Sequence, residues 1–173
     1  MENVEIIISN IKKDYIDLIV YKELGVTPNK VISSHFYDEV LQKDIEFSNI
    51  SSLKEYYLTS NSKTGNIFAK EVFVGDKIKN VILIMSFDKT VGDIIINFEE
   101  EEFISCSEDE LKHKLKRIII KLTEIINKYE VEEIRFGYEP ASDDDMLLTS
   151  INKDGLQVNK NLKCLLSSLI VSL

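Results

Sequence analysis

The stretch IFAKEVFVGDKIKNVILIMSFDKTVGDIIINFEEEEF, from Ile67 to Phe103, decides the fold class. It holds three β-rich runs, IFAKEVFVGD, KNVILIMSFD and GDIIINFEEEEF, with short Gly, Asp, Lys and Thr segments between them. Runs of β-branched and aromatic residues bounded by turn formers predict strands, and connections this short predict antiparallel neighbours. The stretch therefore reads as a meander. Its middle run is apolar without a break from Val81 to Met85, which predicts a central strand buried on both faces.

Working downstream, Ser107 followed by Glu110 has the form of a capping box, in which each side chain satisfies a free N–H at a helix start. Leu111, Leu115, Ile118, Leu122, Ile125 and Tyr129 follow at spacings of four and three. They predict a long amphipathic helix near 108–128 that lies on the sheet. EEIRFGYE then returns as a strand, with Ile134, Phe136 and Tyr138 alternating onto one face. Pro140 ends it. Ser142 is a candidate N-cap, Asp143, Asp144 and Asp145 fall in the first turn of a second helix, and Met146, Leu147, Ser150 and Ile151 continue it towards Gly155.

Working upstream, VEIIIS is a short β-rich run. KKDYIDLIVYKELGV brings Tyr15, Leu18, Ile19 and Lys22 near one helical face, with stop signals at Gly25 and Pro28. KVISSHFYDEVLQKD fits neither the helical nor the strand period, and SNISSLKEYYLTSN predicts a short helix. The apolar tail NLKCLLSSLIVSL is expected to pack as a final helix or strand. No linker or repeat divides the chain. The expectation is one α+β domain over 1–173, an antiparallel sheet of about four to five strands with helices packed on it.

Composition bounds the function. Of 173 residues, 44% are hydrophobic, enough for a core without staples. Thirty acidic against 21 basic residues leave a net charge of -9. That balance argues against nucleic acid and against anionic membranes, both of which select Lys and Arg, and favours a basic partner. Cys106 and Cys164 form no CxxC motif and read as reduced thiols. No secretory signal stands at the start, and the ten-residue CLLSSLIVSL is too short to span a bilayer, so a cytoplasmic location is expected. Oligomeric state stays open.

The candidates for chemistry are few. Asp143–Asp145 could attract a hard cation, but consecutive residues in a helical turn point around the axis and miss the alternating calcium-loop pattern. Capping explains the run without a ligand, so no metal and no cofactor are expected. Glu99, Glu100, Glu101 and Glu102 read as a strand end, either a solvated edge that blocks edge-to-edge pairing or a patch aimed at a partner's Lys and Arg. The two acidic runs follow two different strands and could meet on one rim of the sheet. His35 and His113 have no zinc spacing, and neither a nucleophile elbow nor a phosphate-cradling glycine loop is present. Lys112, Lys114, Lys116, Arg117 and Lys121 make one side of the long helix basic, which reads as a solvated face with intramolecular pairing.

The segment GYEPASDDDM, after a strand and a long helix, resembles segments of small bacterial immunity proteins from polymorphic toxin and contact-dependent inhibition systems. The absence of tryptophan sets the chain apart from the SMI1/KNR4-type immunity fold. The resemblance implies a non-enzymatic binder that occludes the active site or substrate cleft of a cognate toxin C-terminal domain, such as a basic nuclease. On that reading Glu99, Glu100, Glu101, Glu102, Asp143, Asp144 and Asp145 make charge contacts, Tyr138 is an aromatic anchor and Glu139 lies at the same corner. Two other readings stand beside it. One is a small enzyme using Glu139 and an aspartate with a divalent ion. The other is a structural or regulatory protein whose acidic rim meets no toxin.

Overall fold

The computed structural model describes residues 2–39, 42–59, 62–104 and 107–158. The tail expected to form a final helix or strand lies outside the described residues. Among the described residues nine strands build one sheet: β1 (Asn3–Lys12), β2 (Val31–Asp38), β3 (Lys43–Ile45), β4 (Lys63–Phe73), β5 (Lys77–Phe87), β6 (Val91–Glu99), β7 (Glu133–Tyr138), β8 (Leu147–Asn152) and β9 (Gly155–Val158). Their order is β3-β2-β4-β5-β6-β1-β7-β8-β9, and every pairing is antiparallel.

The meander of β4, β5 and β6 is present, but the expected four to five strands are too few. Two segments account for much of the difference. In β2 only Phe36 is buried, so this outer strand carries no alternation to read. The segment after Pro140, predicted as a helix, instead turns and forms β8. Thr149, Ser150 and Ile151 are buried against β7, and that ladder overrides a local pattern that resembled a capped helix.

The helices are α1 (Leu53–Leu58), α2 (Glu101–Ile104) and α3 (Glu108–Tyr129). The capping box of α3 is formed: Glu110 N–H donates to the Ser107 hydroxyl, and Ser107 N–H donates to the Glu110 carboxylate at 3.0 Å. Glu130 ends α3 in a left-handed conformation. The N-terminal helical segment is a 3-10 turn at Lys13–Tyr15 followed by a π-helix at Leu18–Glu23. The wider turn buries Ile19, Val20 and Glu23 and leaves Lys22 exposed, outside the face that the 3.6 period predicted.

Ridge positions of α3 (Leu115, Ile118, Leu122, Ile125) join Ile6, Ile8, Leu83, Met85, Ile94, Ile96, Ile134 and Phe136 in the core. These strand residues share one face, because residues opposite each other in a ladder point the same way. We call this the helix face. Tyr57 of α1 and Phe103 of α2 also reach it, through the Met85 carbonyl and the Phe136 ring.

The other face is different. On β5 the buried residues are Ile78, Val81, Leu83, Met85 and Phe87, while Ile82 is 46% exposed and Ile84 is partly exposed. The strand is central in the sheet, but among the described residues it is covered on the helix face alone. The expectation of burial on both faces is therefore not met.

Candidate functional site

β1 runs antiparallel to both its neighbours, so its first residues lie beside the ends of β6 and β7. Asn3 pairs with Glu99, and Val4 pairs with both Phe98 and Tyr138. The sheet topology thus brings the two predicted acidic regions to one end of the sheet.

Glu99 is the last residue of β6, and the run does not continue as a strand. Glu100 turns the chain, and its carbonyl accepts from Phe103 N–H at 2.8 Å and Ile104 N–H at 3.0 Å. Glu101 and Glu102 then open α2, so of the four glutamates read as a strand end only Glu99 lies in the strand. The Tyr138 hydroxyl donates to Glu100 Oε1 at 2.6 Å. This bond to a carboxylate, with burial, pushes the phenol up to about 12. The Glu139 carboxylate accepts from Asn3 Nδ2 at 2.8 Å, and Glu102 Oε1 accepts from Asn80 Nδ2 at 3.4 Å.

Asp143–Asp145 lie in a loop rather than in a first helical turn. Asp143 N–H donates to the Pro140 carbonyl at 3.0 Å, and Met146 N–H to the Asp143 carbonyl at 3.1 Å, which makes consecutive turns. Ser142 contributes its carbonyl, not a cap. Arg135 holds the loop: Nε donates to Ala141 O at 2.8 Å, and Nη2 donates to Ser142 O at 3.1 Å and to Asp144 Oδ1 at 2.7 Å. Glu5 holds it from β1, its Oε2 accepting from Ala141 N–H at 2.8 Å. Both side chains come from the open face, so the loop is drawn over that face at its β1–β7 end. Sequence reasoning passed over Glu5 and Arg135. Their signal was a charge inside an otherwise apolar strand, where a buried or half-buried ion needs a fixed partner.

Glu99, Glu101, Asp143 and Asp145 are exposed and make no ion pair among the described residues. The rim therefore presents carboxylates on a scaffold that its neighbours hold in place. Among the described residues no group of three or more His, Cys, Asp or Glu side chains is placed to hold a metal ion. No described helix is long and apolar enough to cross a membrane.

The basic side of α3 is largely engaged within the chain. Lys112 pairs with Glu108 at 2.7 Å, Lys114 donates to the Glu102 carbonyl, Arg117 pairs with Asp76, and Lys121 pairs with Glu23 at 2.5 Å. Of the histidines, His35 Nδ1 lies 3.3 Å from Asp44 on the outer strands, and His113 is exposed on α3.

A family model described as PABL017 Cdi1I immunity protein matches residues 2–154. A chain of a solved structure, the 1.75 Å crystal structure of the toxic C-terminal tip of CdiA from Pseudomonas aeruginosa in complex with immune protein, is similar in fold. The TM-score is 0.66 at 16% sequence identity, over 92% of this chain and 97% of that one. A comparison with curated proteins finds no match.

Proposed function

The chain belongs to the PABL017 Cdi1I immunity protein family, and from that premise we propose that it protects its own cell by binding a cognate toxin C-terminal domain and covering that domain's active site or substrate cleft. The observation that carries this reading is the family match over residues 2–154. The fold shared with a chain of the CdiA toxin tip complex supports it. On this reading the protein is a binder and not an enzyme, and it works inside the cell that makes it.

The acidic rim is the proposed charge contact. Glu99, Glu101, Asp143 and Asp145 offer carboxylates to basic groups of the toxin. Glu100, Glu102, Glu139 and Asp144 add charge while their neighbours hold them. Tyr138 serves the same contact by fixing Glu100 and by lending ring surface at the corner. A toxin that cuts nucleic acid needs a basic cleft, and a chain of net charge -9 is drawn to it and competes with phosphate there. Reversing Glu99, Glu101, Asp143 and Asp145 to lysine together is expected to weaken toxin binding by about 100-fold and to abolish protection of cells expressing the toxin. Unchanged affinity in a folded variant would remove the rim from the interface.

A further inference from the structure

Half-covered antiparallel strands ordinarily alternate apolar inward with polar outward. The three central strands here do not. β1 carries Ile6–Ile7–Ile8, β5 carries Val81 through Met85, and β6 carries Ile94–Ile95–Ile96. The even and odd members go to opposite faces, so half of these isoleucines point away from the helices. Register places the outward ones side by side: Phe68 opposite Ile82, Ile84 opposite Ile95, and Ile95 opposite Ile7. Phe68, Ile82, Ile84, Ile95 and Ile7 thus form a continuous stripe across four strands, each member partly or half exposed. A contiguous apolar stripe within a polar surround is a feature of binding surfaces.

The charges around the stripe select its occupant. Asp93 and Glu133 lie around it on the open face, Asp44 lies there beside His35, and Asp144 is paired with Arg135 in the loop drawn over that face. On the same face Arg135 is committed to the 140–146 loop. A second copy of this chain meeting the face about a two-fold axis would set acid against acid. A basic protein with an apolar projection would satisfy both the stripe and its frame. We infer that the open face of the sheet is a docking surface for a basic protein domain, seated on this stripe. The inference rests on the immunity reading, which supplies the toxin domain as that partner. It adds an apolar centre to the acidic rim, with which the face is continuous through the 140–146 loop.

The test titrates the cognate CdiA-type C-terminal toxin domain against the full chain and two variants, Ile82→Lys and the pair Ile84→Asn with Ile95→Asn. Ile82→Lys is expected to weaken binding about 100-fold or more, as loss of a central interface anchor does. The free variant should melt within about 3 °C of the unmodified chain, because Ile82 is half exposed. Affinity within about threefold of the unmodified chain for both variants would overturn the inference while leaving the immunity reading in place. So would a fall of about 10 °C or more in the melting point of free Ile82→Lys, which would mean that the chain covers its own stripe. Dissociation of a homodimer by Ile82→Lys in sedimentation would assign the face to a second copy instead. An unmodified chain that fails to bind the toxin domain would overturn both readings together.

Discussion

Glu23 is a carboxylate nearly enclosed by the protein, and its partners decide whether that is tolerable. Lys121 and Lys128 approach its two oxygens at 2.5 and 2.6 Å, and the Tyr129 hydroxyl donates to one of them. Burial alone would raise this carboxyl, but the three hydrogen bonds outweigh it and hold it at about 2, against 4.5 for an ordinary glutamate. A depressed folded pKa means that the stabilisation is complete above the unfolded value and is lost as pH falls through the folded one. The melting temperature of the unmodified chain is therefore expected to fall between pH 4.5 and about 2, and Glu23→Gln to flatten part of that slope. At pH 7 the same substitution leaves Lys121 without its counter-charge and should cost about 3 kcal/mol in urea unfolding. Arg135 makes the corresponding case at the rim. Arg135→Lys keeps the charge and loses the planar fork that serves two carbonyls and a carboxylate. Faster amide exchange at Ala141 and Met146, with little change at Ile134 and Phe136, is the expected signature. Equal protection in the variant would show that Glu5 alone holds the loop.

Elements that carry their own signal locally were legible, and elements defined by their neighbours were not. α3 announces itself through Ser107, Glu110 and its apolar ridge, all within one helix length. β4 to β6 are legible for the same reason. β2 could not be read because only one of its side chains is buried, and β8 could not because Ser142 and three aspartates imitate a helix start. The acidic residues were visible by composition, and their meeting at one end follows from β1 lying between β6 and β7, a pairing that spans most of the chain. The clamp of Glu5 and Arg135 depends on the same long-range pairing. Gly75 shows how one element constrains another without any motif. It turns the β4–β5 hairpin at φ +77, and a Cβ there would collide with the Arg117 carbonyl of α3. Both the left-handed backbone and the close approach demand glycine. Gly75→Ala is expected to destabilise by about 2 kcal/mol or more in urea unfolding, since neither the hairpin nor the helix backbone can yield alone.

At the scale of the whole molecule, the acidic rim and the apolar stripe predict different kinetics for the same complex. Net charge of -9 acts over a distance and speeds encounter with a basic domain, whereas the isoleucine stripe acts only after contact. Surface charges are screened beyond about 10 Å at 0.1 M salt and beyond about 3 Å at 1 M, so the encounter advantage should fade as salt rises. The association rate constant for the toxin domain is accordingly expected to drop about tenfold or more between 0.05 and 0.5 M salt, with the dissociation rate constant changing much less. The lysine variant of Glu99, Glu101, Asp143 and Asp145 should start near the high-salt association rate and lose most of its salt dependence. Ile82→Lys adds one positive charge to a strongly negative molecule and so leaves encounter nearly unchanged, but it breaks the dry centre of the contact and should raise the dissociation rate. Stopped-flow association at several salt concentrations, with dissociation followed by competition against unlabelled chain, separates the two. If the rim variant alters only dissociation, its carboxylates are contacts and not steering charges. If Ile82→Lys alters only association, the stripe lies outside the closed complex and the partner is held by the rim alone.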